Sequence, residues 1–259
     1  MTLLNVTLFP GHLRNVGLML LVVVFGSACA STTPGDPFES YNRSMYSFNQ
    51  SVDNAILKPT ATAYKNYVPD PIQLFTRNFF SNLDDVFVGI NNFLQGKPVA
   101  ALNDWTRVLL NTTFGFFGIA DPATEMGWRK QREDFGQTLG VWGVPAGPFV
   151  VLPLLGPSSV RDTAGTVVDY AVDPTGYAIA GNMRLEGRTA QRIGAAGLRL
   201  IDTRSRLLGV TDLLQAAALD EYSFVRDGYR QRRRSAVYDG DPPPLDPLDP
   251  PEPADAPKN

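Results

Sequence analysis

One histidine, His12, and one cysteine, Cys29, are the chain's whole supply of those two residues, and both fall within the first 29 of its 259 positions. Everything downstream therefore lacks an imidazole and a thiol. Ser-His-Asp and Cys-His catalysis have no base there, histidine or cysteine zinc sites have no ligands, and disulfides cannot form. A G-x-x-x-x-G-K-[ST] phosphate loop and a G-x-G-x-x-G turn are also missing, which leaves no sign of nucleotide use. The stretch GPSS around Ser158 invites a hydrolase reading that fails for want of a base other than lysine. Asp84 with Asp85, and Glu133 with Asp134, are adjacent carboxylates. Neighbours on a helix point about 100° apart, so these pairs read as surface charge rather than an acid–base dyad. No enzyme, cofactor or metal site is expected.

Charge is absent from 135 to 160, a run of 26 residues long enough for a membrane-spanning helix. Pro145, Pro148, Pro153 and Pro157, with Gly136, Gly140, Gly143, Gly147 and Gly156, exclude that helix and make a poor strand as well. An interrupted apolar segment exposed to lipid would leave backbone groups without partners. The segment must be buried by protein as a core loop or line a cavity.

The two ends carry different signals. Residues 1–28 read as an export leader, with Arg14 the only charged side chain before the apolar run VGLMLLVVVFG. GSAC then brings Gly26, Ser27 and Ala28 before Cys29 and resembles a bacterial lipobox, with Gly26 where leucine is usual. Ala28 and Ala30 also form an A-x-A site, and cleavage there would discard Cys29. With Cys29 acylated, residues 29–35 form a tether whose part from Ala30 to Gly35 spans about 20 Å at roughly 3.3 Å per residue. Residues 238–259 form an acidic tail; from Asp239 on it holds eight prolines and six acidic residues, the composition of an extended, disordered end. Before it, Arg226 to Arg234 contains five arginines, which suit either anionic headgroups or a solvated helix end. Without the leader the chain has 22 basic and 26 acidic residues, which is not a nucleic-acid binder's balance.

The body, 36–237, is long enough for one large domain. Its periodicity is helical. Tyr41, Met45, Phe48, Val52 and Ile56 make one stripe. Ile72, Phe75, Phe79, Leu83, Val86, Ile90 and Phe93 make a second, widened by Phe80, Phe87 and Leu94. Leu102, Trp105, Leu109, Thr112 and Phe116 make a third, which ends at the glycine-rich turn FGFFGIADPA. From Leu185 to about Val237, Leu198, Ile201, Leu208, Leu213 and Leu214 are again spaced for helix faces, and strand-like alternation is scarce throughout. The reading is an all-α body with one irregular apolar Pro/Gly-rich loop. Amphipathicity alone predicts that each stripe packs into a core.

Four ordered blocks add a likeness. DPFESYNRSMYSFNQSVD, with Asp36, Pro37, Glu39, Asn42, Arg43, Met45, Phe48 and Asn49 in place, resembles the opening signature of the MlaA (VacJ) family of outer-membrane lipoproteins. NYVPDPIQLFTRNFFSNL, FLQGKP and FGQTLGVWGVPAGPFVVLPLLGPSSVRD match its later blocks, so the resemblance runs from about Asp36 to Arg234. It implies a ring-like helical protein in the periplasmic leaflet of the outer membrane, beside trimeric porins. Phospholipid from the outer leaflet would cross its amphipathic passage to a soluble periplasmic carrier. On this reading Phe149, Val150, Val151, Leu152, Leu154 and Leu155 flank the acyl path, and Arg129, Lys130 and Arg132 in WRKQRED guide the headgroup. A solvated cluster is the alternative for those three cations, and a structural lipoprotein without transport is the alternative for the protein.

Overall fold

The computed structural model describes residues 35–172 and 185–244. The leader, Cys29 and the tail from 245 onward lie outside them. Nine α-helices and one β-hairpin follow in order among the described residues: α1 (Glu39–Val52), α2 (Lys58–Tyr67), α3 (Asp70–Leu94), α4 (Pro98–Thr113), α5 (Pro122–Glu125), α6 (Phe135–Val141), β1 (Phe149–Leu152), β2 (Gly156–Ser159), α7 (Val160–Val172), α8 (Leu185–Ala217) and α9 (Glu221–Val237). A π-helical turn, Asp53–Leu57, joins α1 to α2. Pro59 comes two residues after its end, and a proline ring inside a helix clashes with the carbonyl four residues back, here that of Ala55 within the turn, so a widened turn suits that place.

The apolar segment between Asp134 and Arg161 is not an irregular loop, as its prolines and glycines suggested. It contains an antiparallel hairpin that pairs Phe149 with Ser159, Val150 with Ser158, Val151 with Pro157 and Leu152 with Gly156. The prolines sit outside the ladder's needs: Pro153 is in the turn, and Pro157 is on a two-stranded edge. Leu154 in the turn has φ +63°, a left-handed conformation rare for a branched side chain.

The faces of the helices are also the reverse of the expectation. In α3, Ile72, Phe75, Ile90 and Phe93 are exposed, the last by 60%, while Asn82, Asp85, Asn91 and Asn92 on the other face are buried. In α4, Leu102 and Leu109 are exposed and Asp104, Arg107 and Asn111 are buried. In α1, Phe48 is exposed and Asn42 is fully buried. Among the described residues, 12 hydrophobic side chains are buried against 19 polar or charged ones. Soluble domains bury charged residues rarely, and only when these are paired. Here the predicted stripe of α4 and the ends of that of α3 form the outside, while Phe80 of α3 is buried and Met45 of α1 packs inward.

A small apolar centre remains where Phe149 and Val151 of β1 meet Tyr222 and Tyr229 of α9, flanked by Met45 and Tyr46 of α1. Within α8, Leu208 is buried and Leu198 exposed, while Leu213 and Leu214 lie outside the described side chains. No helix among the described residues is long and apolar enough to cross a membrane.

Candidate functional site

Buried polar groups persist only when they are hydrogen-bonded, and buried charges only when paired. Three constellations meet that requirement.

The first lies between α3 and α4. Arg107, 1% exposed, donates from Nε to Asp85 at 3.2 Å, from Nη1 to Thr124 at 3.0 Å and to the Trp128 carbonyl at 2.5 Å, and from Nη2 to Asp121 at 3.1 Å. Asp85 is thus buried and not the surface charge its neighbour Asp84 suggested; Asp84 meets Arg199 at 2.8 Å. Burial pushes the Asp85 carboxyl up, and Lys130 and Arg107 oppose it. Burial raises Asp104 too, against bonds from Asn92 and Asn103.

The second joins α6, α7 and α9. Arg233 donates to Asp162 at 2.8 Å and to both oxygens of Asp134 at 2.5 Å. Tyr229 and Arg161 also donate to Asp162. Burial would raise that carboxyl, but these donors hold it at about 2. The helices approach closely: a Cβ on Gly165 would lie 2.4 Å from the Gly136 nitrogen, so only glycine permits this crossing. Asp169, which accepts from the Phe135 amide at 3.2 Å, is pushed up to about 6 by burial and by the Asp134 charge. The arginine-rich stretch is therefore largely structural. Arg233 is this hub, Arg226 meets Asp227 at 2.8 Å and Asp36 at 3.5 Å, and Arg230 donates to the Gly35 carbonyl.

The third explains the opening signature. Asn42 accepts from the Val151 amide at 2.8 Å and donates to the Phe149 carbonyl at 3.1 Å. Seven residues on, Asn49 accepts from the Leu154 amide at 2.7 Å and donates to the Leu152 carbonyl at 2.8 Å. Two helical turns span about 10.5 Å, and three extended residues span about 10 Å. The two amides therefore act as a surrogate strand along the free edge of β1. Asp36 locks the arrangement, accepting from Asn42 at 3.1 Å and from the Tyr222 hydroxyl.

Beside this edge lies a cleft of about 220 Å³, lined by Tyr46, Gln50, Asp53, Arg204 and Glu221 together with Gly156 and Pro157 of β2. Arg204 is paired with Asp53 at 2.6 Å, and Gln50 donates to Glu221. No cluster of three or more potential metal ligands occurs among the described residues.

The residues singled out from sequence divide sharply. Phe149 and Val151 are 2% and 1% exposed and form the core under the hairpin, while Val150 and Leu152 are half-buried. Leu154 and Leu155 project at the apex, 58% and 54% exposed. Phe149 and Val151 are therefore not free to line an acyl path, because their side chains have almost no access to water. Lys130 is engaged with Asp85 and the Ser81 carbonyl, and Arg129 and Arg132 are exposed. Sequence reading missed the interior face: Asp104, Arg107 and Asn111 are themselves spaced as a helix stripe. The turn read at FGFFGIADPA follows α4, but Phe116, counted in the third stripe, lies within it: Phe116 and Phe117 take φ +50° and +58° and stand 77% and 75% exposed.

A sequence model of the MlaA lipoprotein family matches residues 34–236. The chain is 37% identical over 225 residues to the intermembrane phospholipid transport system lipoprotein MlaA of Escherichia coli (strain K12), with 84% of each chain covered. It is 35% identical over 210 residues to the protein of the same description from Haemophilus influenzae, covering 79% of this chain and 80% of that one. A solved structure described as "Structural basis for maintenance of bacterial outer membrane lipid asymmetry" superposes with a TM-score of 0.66 at 34% identity, over 78% of this chain and 98% of that chain. A mostly helical body with a two-stranded hairpin, an opening signature that braces it, and this extent of identity place the chain in the MlaA lipoprotein family.

Proposed function

We propose that the protein is an outer-membrane lipoprotein that removes mislocalised phospholipid from the outer leaflet and passes it to a periplasmic carrier, without chemistry of its own. The reversed burial pattern carries this reading. Exposed stripes on α3 and α4, with the aromatic turn Phe114–Ile119, give an apolar exterior fitted to one leaflet. The polar side of the ring is where a phosphate, costly to bury unpaired, would pass.

Cys29, acylated at the end of a leader covering 1–28, would hold the body 36–237 at the membrane through the tether 29–35, and the tail 238–259 would lie in the periplasm, its start tied to the body where Asp239 meets Lys97 at 2.6 Å. Trimeric porins are the proposed neighbours. Leu154 and Leu155 at the hairpin apex contact acyl chains, with Val150 and Leu152 at their flank and Phe149 and Val151 as the anchors that fix the apex. Arg129 and Arg132 meet headgroups at the rim, and Lys130 shapes that rim through Asp85. The test is phospholipid exposed on the outer leaflet of a deletion strain, with and without the intact gene restored. A rise reversed by complementation is expected; no rise moves the protein to a purely structural role.

A further inference from the structure

The chain leaves the folded body beside a short basic segment. Asp239, just past the end of α9, meets Lys97 at 2.6 Å, and Lys97 also lies 3.9 Å from Glu133. Four residues on, the Pro243 carbonyl accepts from Arg234 of α9, and the neighbouring Arg233 reaches back to Asp134. The exit of the tail is thus held from two sides next to residues 132–134. Asn103 of α4 donates to the Arg129 carbonyl at 2.9 Å, so segment 129–133 follows the first turns of α4 from Asn103 to Lys97.

Arg129 and Arg132 in that segment are exposed and form no ion pair among the described residues. The carboxylates near them are engaged elsewhere. Glu133 accepts from Gln95 at 2.9 Å, Asp134 is held by Arg233, and Asp85 is held by Lys130. Two uncompensated cations therefore remain, three residues and at most about 10 Å of backbone apart. Residues 245–259, which follow the held exit, carry Asp246, Asp249, Glu252 and Asp255, an acid at every third position with prolines between them. A polyproline II helix has three residues per turn and rises about 3.1 Å per residue, so this spacing sets all four carboxylates on one edge at intervals of about 9 Å. That interval matches the separation of the two arginines. Length is no obstacle, since the segment spans about 46 Å in the same conformation.

We propose that residues 245–259 dock on segment 129–133 of their own chain as an acidic ridge, with successive carboxylates on Arg132 and then Arg129. Each pair is exposed and weak by itself. The fixed exit makes the contact intramolecular, and a short tether supplies a high effective concentration for it. The docked tail covers the two cations that the transport reading assigns to headgroups, so an arriving phosphate must displace a carboxylate. That consequence rests on the phospholipid-transport reading, whereas the contact itself rests on the charges and the exit alone.

Arginine modification by phenylglyoxal, read peptide by peptide in the full chain in uncharged detergent, tests the contact. Arg232, exposed on α9 and outside the contact, is the internal standard. Removing residues 245–259, or neutralising the ridge with Asp246→Asn, Asp249→Asn, Glu252→Gln and Asp255→Asn together, should speed modification of Arg129 and Arg132 roughly three- to ten-fold at low salt. The rate at Arg232 should not change, and the difference should vanish at about 0.5 M salt. Exchanging Leu248 with Asp249 and Glu252 with Pro253 keeps the composition and breaks the spacing, and it should lose most of the protection. Equal rates with and without the tail, or a rise shared by Arg232, overturns the contact. Full protection by the exchanged tail overturns the ridge, and protection that grows with protein concentration places the tail on a second copy instead. Those results leave the transport reading standing, which falls instead if the deletion strain shows no rise in surface phospholipid.

Discussion

Replacing Asn42 with alanine isolates what the surrogate strand contributes. Asn42 is fully buried, and its truncation strands two backbone groups of β1, the Val151 amide and the Phe149 carbonyl, away from water. Each buried group left unsatisfied costs about 1–3 kcal/mol, so the loss should be about 4 kcal/mol, a large part of a typical 5–15 kcal/mol stability. Asn49→Ala removes the same two bonds at a half-exposed place where water can replace them, and the loss there should be about 1 kcal/mol. Denaturant unfolding in a fixed detergent gives both numbers, and hydrogen exchange at the Val151 amide reports the hairpin edge itself. Asn42→Ala should deprotect that amide and Asn49→Ala should not. Equal losses from the two variants, or a loss below about 1 kcal/mol at Asn42, would refute the claim that these amides stand in for a strand.

Other outcomes follow from the same geometry. Val151→Asp should fail to accumulate as folded protein, because it places an unpaired charge in the tyrosine-lined core, whereas Leu154→Asp should fold and raise outer-leaflet phospholipid when it replaces the native gene. Leu154→Gly should relieve a left-handed backbone worth about 1 kcal/mol or more, so its stability should hold or rise while transport falls. Asp169, raised to about 6 by burial and the Asp134 charge, keeps a proton in the fold that the unfolded chain releases near pH 4. Its stabilising contribution is therefore present below about pH 4 and lost as pH rises through about 6. Asp169→Asn, which retains an acceptor for the Phe135 amide, should melt higher than the parent at pH 7.5 and converge with it near pH 4. A gap that widened on acidification would contradict the assignment.

The helical class of the fold was legible in the spacing of apolar residues, because periodicity reports secondary structure whichever way a face points. The direction of the faces was not legible from that rule, since Phe93 and Leu109 obey the spacing of core residues while standing in the open. The signal lay in the complementary stripe of Asp104, Arg107 and Asn111, which pairs with Asp85 and Asp121 only once α3 and α5 are in place. The hairpin was hidden for a related reason. β1 is only four residues long between Pro148 and Pro153, β2 opens on Gly-Pro, and β1 is held by side chains of α1 over a hundred residues away. The motif positions Asn42 and Asn49 were visible in sequence, but their role as an edge was not.

The central claim is that the apolar exterior faces lipid while the charged interior does not. Trp105 sits on the outward face of α4, 38% exposed, and a variant that keeps it while Trp128 and Trp142 become phenylalanine reports that face alone. In vesicles whose acyl chains carry bromine, Trp105 fluorescence should be strongly quenched and acrylamide in the buffer should have little effect. Strong quenching by acrylamide with none by the brominated lipid would place that face in water and contradict the account.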